Sequence, residues 1–156
     1  MGKATKQEPV LRRGWTTGTC AAAAAKAAYA ALVTGDFPDP VVVTLPRGER
    51  PSFALAMTRI DGNAATAGVI KDAGDDPDVT HGALICATVR LGPRGSGVRF
   101  RSGAGVGTVM PCAVSVLTSA AVYLAESVFC GSRIPDALVV SCCALATRES
   151  RSEPFV

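Results

Sequence analysis

"TTGTCAAAAAK", residues 16–26, passes from threonines and a glycine through one cysteine into five consecutive alanines and a lysine. Threonine is a good helix N-cap and alanine is the strongest helix former, so the stretch predicts a helix capped at Thr17 or Thr19. Alanine side chains also keep a helix narrow, which lets its backbone lie close to a sheet or a ligand. Helix formers continue to Val33, and Gly35 with the prolines after it provides a stop signal.

The start of this helix is also a candidate anion site. Free N–H groups at a helix N-terminus attract anions, and we expect Gly18 to let the backbone turn tightly. The candidate binding residues are therefore Thr16, Thr17, Gly18 and Thr19. An ordinary capped helix packed on a sheet is the alternative interpretation of the same residues.

The composition indicates one globular domain. The chain has 156 residues, of which 48% are hydrophobic and 19% charged, and this provides enough apolar surface for a core. Its net charge of +3 is scattered and aromatic residues are few, which argues against nucleic acid as a partner.

The six cysteines lie in apolar or small-residue surroundings without paired metal-ligand spacing. We therefore expect reduced thiols, no protein-bound metal and a cytoplasmic protein. A signal peptide is the alternative interpretation of the basic start and the alanine run, but Lys26 and the polar threonines interrupt the apolar region that it needs.

The sequence predicts a flexible polar tail at 1–10 and a fold that starts near residue 11. After the helix we predict a hairpin, two strands separated by a loop rich in Asp and Gly, and a further strand that leads into a glycine-rich turn. That turn, "GAGVGTV", lacks both the lysine of a P-loop and the dinucleotide-binding spacing. The predicted strands are Val41–Pro46, Ser52–Met57, Ala67–Ile70, Leu84–Leu91 and one within 97–109.

"KDAGDDPDVTHG", residues 71–82, is the second candidate site. Four carboxylates this close repel one another, raise one another's pKa and require cations or hydrogen-bond donors. One of the carboxylates or the sole histidine could carry out proton transfer. The spacing is not that of a calcium-binding helix-loop-helix, because the later glutamate is missing. A solvated turn in which the aspartates cap backbone N–H groups is the alternative.

Four stretches, taken in order, carry a family resemblance: "LRRGWTTGTCAAAAAKAA", "VTLPRGER", "VIKDAGDDPDVTHGALICATV" and "GAGVGTV". They closely resemble the N-terminal part of the cobalt-precorrin-5B (C-1)-methyltransferase family of the anaerobic cobalamin pathway. The resemblance runs from residue 10 to residue 109, and the twelve-residue loop string is its most specific part.

The resemblance implies an enzyme that transfers a methyl group from S-adenosylmethionine to ring carbon 1 of a cobalt-containing tetrapyrrole with many carboxylates. It implies a small-molecule partner rather than a nucleic acid or a membrane, and it leaves a homo-oligomer open. It also implies an α+β domain over residues 11–125, like the second domain of ribosomal protein S five, followed by a second α/β domain.

Residue roles follow from the same resemblance. The threonine-rich helix start and Lys71 would suit the carboxylates of the substrate. In-line methyl transfer depends chiefly on the proximity and orientation of donor and acceptor. The only role left for a base is therefore proton transfer to or from the macrocycle. The candidates for that role, by their position in the motif, are Asp72, Asp75, Asp76, Asp78 and His81.

The resemblance ends after "GVGTV". All four lysines and fifteen of the sixteen glycines precede residue 109, whereas four of the six cysteines follow it. We therefore expect 126–156 to be an atypical, poorly packed tail. We hypothesise a shifted reading frame near residue 109. We also expect the second α/β domain to be missing. The uncharged run Val109–Ala125 is open to two interpretations, a membrane segment or a buried helix over Ala113–Phe129.

Two functional classes remain open. In the first, the chain is a truncated form of the methyltransferase, inactive on its own because it offers no convincing pocket for the methyl donor. In the second, it is a non-catalytic remnant that binds anions or a tetrapyrrole.

Overall fold

The computed structural model describes residues 11–103 and 137–145. This part of the chain contains one helix and two antiparallel or mixed sheets, in agreement with the predicted α+β class. A short two-stranded ribbon pairs β1 with β2, and a larger sheet has the strand order β3-β4-β5-β7-β6. The elements are α1 (Thr17–Thr34), β1 (Val41–Val42), β2 (Ser52–Phe53), β3 (Met57–Asp61), β4 (Ala64–Ile70), β5 (Leu84–Leu91), β6 (Gly97–Ser102) and β7 (Ala137–Leu145).

The ends of α1 are set by local hydrogen bonds. Thr16 is the N-cap, because its Oγ1 accepts from the N–H of Thr19 at 3.2 Å. The sequence placed the cap at Thr17 or Thr19 and expected a tight turn at Gly18; both expectations were wrong, since these residues already lie inside the helix. At the other end, Gly35 adopts a left-handed φ of 87° and donates its N–H to the carbonyl of Ala31, which confirms the predicted stop.

The alanine run makes α1 a buried helix. Successive helical residues are 100° apart, so five buried residues in a row bury every face of that turn. One side packs on small residues of β4 and β5, and β1 contacts the helix as well. The Nζ of Lys26 donates to the carbonyl of Val42 at 2.8 Å and ties the helix to β1. Small side chains on both the helix and the sheet therefore set a short distance between them.

The large sheet is antiparallel except for the parallel pair β6 and β7. The predicted strand Leu84–Leu91 is confirmed, and β4 extends the predicted strand Ala67–Ile70 back to Ala64. The sequence analysis missed the hairpin between β3 and β4, which turns at Gly62 with a φ of 57°. A glycine in that conformation is a hairpin turn signal. The predicted strand Ser52–Met57 is divided in the structure, with Ser52–Phe53 in β2 and Met57 at the start of β3.

The strand β7 corrects the expectation for the end of the chain. The sequence predicted that 126–156 would pack poorly, but Ala137–Leu145 lies between β5 and β6 in the sheet. Its Leu138 and Val140 are 1% and 5% exposed and belong to the core. Alternate apolar residues give this stretch one face that can be buried, and this periodicity explains the strand.

Several sequence predictions lie outside the described residues. They are the tail 1–10, "GAGVGTV" beyond Gly103, the membrane segment Val109–Ala125 and the helix Ala113–Phe129. Within 11–103 and 137–145, no helix has both the length and the apolar character needed to span a membrane.

A larger side chain at a buried alanine of α1 tests the close helix packing. Ala24 is 0% exposed, so Ala24→Leu has no room and should lower the free energy of unfolding by about 1–3 kcal/mol. Ala30→Leu is the matched control, because Ala30 is only partly buried, and it should change stability by less than about 0.5 kcal/mol. Urea unfolding followed by circular dichroism measures both, and equal losses would contradict close packing.

Candidate functional site

The predicted site residues come together where the start of α1 meets the loop between β4 and β5. We call this loop, residues 71–83, the aspartate loop. Its base is closed by two backbone hydrogen bonds, from Lys71 N–H to the Ala83 carbonyl at 2.9 Å and from Gly82 N–H to the Lys71 carbonyl at 2.8 Å. The Oγ1 atoms of Thr17 and Thr80 lie 3.5 Å apart, so the helix start and the loop are in direct contact.

A buried cation supports the aspartate loop from beneath. The side chain of Lys71 is 1% exposed, and its ammonium group donates to Oδ2 of Asp78. The other oxygen of Asp78 accepts from the N–H and the hydroxyl of Thr80, at 2.8 and 2.6 Å. The hydrogen bond from Lys71 is the main reason why the pKa of Asp78 lies well below its usual range. A buried ammonium needs such a partner, so the pair holds the loop in one conformation.

A second cation holds the loop from the solvent side. The guanidinium of Arg12 donates to both carboxylate oxygens of Asp72, at 2.5 and 2.9 Å. The N–H of Gly74 donates to the same carboxylate at 2.8 Å. The hydrogen bond from Arg12 is the main cause of the lowered pKa of Asp72. The backbone N–H of Arg12 binds the carboxylate of Asp75 at 2.6 Å, so one residue engages two aspartates.

These contacts correct the expected electrostatics of the loop. The sequence predicted that the clustered carboxylates would raise one another's pKa. For Asp72 and Asp78 that prediction was wrong, because the cations and N–H donors beside them favour the ionised form more than their neighbours disfavour it. Both carboxylates are therefore ionised at neutral pH and are weak proton acceptors.

The segment 11–15 crosses the loop, and the sequence analysis assigned it no role. Arg13 and Gly74 form an antiparallel bridge, and Trp15 N–H donates to the Asp72 carbonyl at 2.7 Å. A Cβ atom on Gly14 would lie 1.8 Å from the carbonyl carbon of Ala73. Only glycine lets the two backbones approach this closely. The signal in the sequence was a glycine in each of the two stretches that touch.

Asp76 and His81 remain accessible to a ligand. The side chain of His81 is 54% exposed. Its Nδ1 accepts from the N–H of Ala73 at 3.1 Å, so in the neutral ring the proton is on Nε2. The carboxylate of Asp76 is exposed and has no hydrogen-bond partner among the described residues.

The threonines of the helix start are mostly engaged in the cap. Thr16 Oγ1 lies 3.0 Å from Thr19 Oγ1, and Thr19 is buried. Gly18 has open space around it, since a Cβ there would meet only Thr16 Oγ1 at 3.8 Å. The hydroxyl of Thr17 faces the aspartate loop, so it is the one best placed to contact a ligand bound beside the loop.

The described cysteines are free thiols, as predicted: Cys20, Cys86, Cys142 and Cys143. Burial raises the pKa of Cys20, Cys86 and Cys142 to about 11. These three thiols are therefore poor nucleophiles at neutral pH. In residues 11–103 and 137–145 we find no group of three or more His, Cys, Asp or Glu side chains that could hold a metal ion.

Comparison with known proteins identifies similar sequences. The family model described as CbiD matches residues 4–122. The cobalt-precorrin-5B C(1)-methyltransferase of Rhodospirillum rubrum is 72% identical over 99 residues, which is 64% of this chain and 28% of the relative. The proteins of the same name from Agrobacterium fabrum and Brucella anthropi are 69% and 60% identical, over 64% and 67% of this chain. The chain spans between 26% and 28% of the length of these relatives. No solved structure matches the chain.

The buried ion pair predicts an asymmetric response to mutation. Asp78→Asn leaves the Lys71 ammonium buried without a counter-ion, whereas Lys71→Met leaves unpaired only the Asp78 carboxylate, whose side chain is 33% exposed. We expect Asp78→Asn to lower the unfolding midpoint clearly and Lys71→Met to stay within about 1 kcal/mol of the parent. Urea unfolding at neutral pH compares the two. A larger loss of stability in Lys71→Met than in Asp78→Asn would contradict the explanation that the unpaired buried ammonium causes the destabilisation.

Acid should destabilise the folded chain through the same loop. The pKa values of Asp72 and Asp78 are lower in the folded than in the unfolded chain, so their contribution is complete above the ordinary aspartate pKa of about 4 and is lost as pH falls below it. Trp15 fluorescence reports on the loop, since its N–H bonds to Asp72. As the pH is lowered from about 5 to about 3, we expect the urea concentration at the unfolding midpoint of the parent chain to decrease. In the double variant Asp72→Asn/Asp78→Asn this decrease should be smaller. The same acid dependence in both proteins would contradict this assignment.

Proposed function

Because this chain belongs to the CbiD family, we propose that it is the substrate-facing part of an enzyme that methylates cobalt-precorrin-5B at ring carbon 1 in cobalamin biosynthesis. The names of its relatives indicate a methyltransferase. The methyl donor in this proposal is S-adenosylmethionine, and the acceptor is the tetrapyrrole.

One observation carries the proposal. The whole aspartate loop, its two anchoring cations and the helix start that it touches lie within the segment that matches the family. Two separate stretches of sequence therefore form one rigid polar surface. A surface with fixed carboxylates, hydroxyls and an exposed imidazole is suited to orient a polar macrocycle and to move protons on it.

The contacts suggest different roles for the candidate residues. We assign Lys71 and Asp78, together with Asp72, to positioning, because their charges are satisfied within the protein. Asp75 belongs with them, since its carboxylate holds the Arg12 backbone. Proton transfer on the macrocycle would then fall to the Nε2 of His81 or to Asp76. Thr16, Thr17, Gly18 and Thr19 remain the proposed contacts for a substrate carboxylate, with Thr17 nearest to the loop.

The described residues do not fit an adenosyl donor. Binding S-adenosylmethionine requires walls around the adenosine and oxygen atoms near the sulfonium. The aspartate loop instead presents exposed side chains, among them Val79, which is 101% exposed. We therefore assign no described residue to the donor and derive no step of the transfer through it.

The finer parts of the proposal concern setting and architecture. We propose a domain like the second domain of ribosomal protein S five, which normally precedes a second α/β domain, and a cytoplasmic setting, supported by the free thiols. A non-catalytic tetrapyrrole-binding protein is the second candidate, favoured by the poor fit of the described residues to the donor.

A chimera tests the proposed function. Residues of this chain that align with the Rhodospirillum rubrum enzyme replace their counterparts in that full-length protein, and transfer of labelled methyl from S-adenosylmethionine to cobalt-precorrin-5B is measured. We expect transfer by the chimera and none by the 156-residue chain alone.

Matched variants of the chimera locate the proton chemistry. His81→Ala should lower the rate by about a hundredfold or more if its imidazole moves a proton. Asp36→Asn, at the far end of α1, should leave it unchanged. A folded but inactive chimera would overturn the proposed function, and label transfer by the short chain would show that the donor site lies within it.

A further inference from the structure

The large sheet has a second face, opposite to α1, with a different chemistry. Side chains alternate between the two faces of a strand. Ala65 and Val89 belong to the core beneath α1, so their neighbours Thr66 and Arg90 lie on the opposite face. On β7, Val140 is in the core, and Ser141 therefore lies on the opposite face as well.

The same alternation places two further arginines there. Val98 and Phe100 of β6 pack against the core, so Arg99 and Arg101 lie on the opposite face. We call this surface the arginine face. Its members are Thr66, Thr88, Arg90, Arg99, Arg101 and Ser141. Val139 and the ion pair of Arg59 with Asp61 lie on the same side of the sheet.

The three arginines of this face are available to a ligand. Arg90, Arg99 and Arg101 are exposed to solvent. None of them forms an ion pair within residues 11–103 and 137–145. Guanidinium groups bind carboxylates through two parallel hydrogen bonds, so free arginines on one face favour a ligand with several carboxylates.

Hydroxyl groups lie between the arginines. The Oγ1 atoms of Thr66 and Thr88 are 2.8 Å apart, across β4 and β5. In register, Thr88 pairs with Ser141, and Ser141 pairs with Arg101. On β7, Ser141 lies between Thr88 and Arg101, and Val139 lies between Arg90 and Arg99. The side chains at the centre of the face are therefore short, which gives a flat ligand room to lie on the strands.

The spacing of the arginines suits a rigid ligand with separated carboxylates. Arg90 and Arg99 are both paired in register with Val139, one on each side, so they lie two strand spacings apart, or about 10 Å. Arg99 and Arg101 are two residues apart on one strand, or about 7 Å. One carboxylate cannot bridge such distances, whereas the periphery of a polycarboxylate macrocycle can.

The aspartate loop offers no comparable cations. Lys71 is paired with Asp78, Arg12 with Asp72 and Arg13 with Glu49. In the part of the chain that the structure describes, Arg90, Arg99 and Arg101 lie together on the arginine face without an ion pair.

We propose that the arginine face is a second binding surface for the carboxylate groups of a tetrapyrrole, separate from the substrate site beside the aspartate loop. The guanidinium groups of Arg90, Arg99 and Arg101 hold separate carboxylates, and the hydroxyls of Thr66, Thr88 and Ser141 contact the ring side chains between them. The inference rests on the proposed function for the identity of the ligand, but it concerns a surface distinct from the aspartate loop.

The test measures binding of a porphyrin with eight carboxylates to the full 156-residue chain. Quenching of Trp15 and the shift of the porphyrin absorption band report the Kd. In Arg99→Gln/Arg101→Gln we expect binding to weaken by about tenfold or more, because two charge-assisted contacts are lost. Arg47→Gln/Arg50→Gln is the matched control, since it removes two exposed arginines outside the sheet, and it should change Kd by less than about twofold.

Each outcome decides the inference. Loss in the first variant but not in the control supports it, and circular dichroism verifies that both variants are folded. Three results would overturn the proposal. Equal losses in both variants would show attraction by net charge alone, and unchanged binding in Arg99→Gln/Arg101→Gln would place the ligand elsewhere. Absence of binding by the parent chain would show that the face does not bind this class of ligand. Tighter binding of a DNA duplex than of the porphyrin, lost in the same variant, would also overturn it. Activity of the chimera is measured separately, so failure here leaves the proposed function standing.

Discussion

A lysine ammonium that is withdrawn from water requires a negative partner, and the aspartate loop is organised around that requirement. Lys71 directly follows β4, and its buried ammonium group donates a hydrogen bond to Asp78. Asp78 also accepts a hydrogen bond from the hydroxyl of Thr80, and Thr80 contacts the start of α1. One buried charge thereby links the sheet, the loop and the helix. The other ion pair of the loop, between Arg12 and Asp72, is exposed to solvent, and exposed pairs contribute little.

The second support of the loop is a backbone contact rather than a charge. Residues 11–15 run along the loop, with Gly14 against Ala73 and the Trp15 N–H on the Asp72 carbonyl. Arg12 adds its two-pronged bond to Asp72, although this pair is half exposed. The chain entering α1 is thus already attached to the loop, which is why the threonine cap and the aspartates face each other.

The sequence predicted elements whose signals are local. The C-terminal end of α1 and the strand Leu84–Leu91 were predicted correctly, because a glycine stop and strand periodicity are signals within a few residues. The sequence could not show which cation pairs with which carboxylate, because Arg12 and Asp72 are far apart in the chain. Lys71 was assigned to the substrate for that reason, and its burial becomes visible only when β4 and the loop are placed. The strand β7 and the arginine face were missed for the same cause, since both depend on strand order.

The position of β7 governs the order in which this sheet can form. β3, β4 and β5 follow one another and pair as neighbours, so they can assemble as soon as they are made. β6 has no sheet partner until β7 arrives, because β7 is inserted between β5 and β6. Closing that pairing brings together residues with a long stretch of chain between them, which costs loop entropy and slows folding. During synthesis β6 therefore waits as an unpaired strand, and its exposed arginines, by mutual repulsion, protect it from pairing with a second copy of itself.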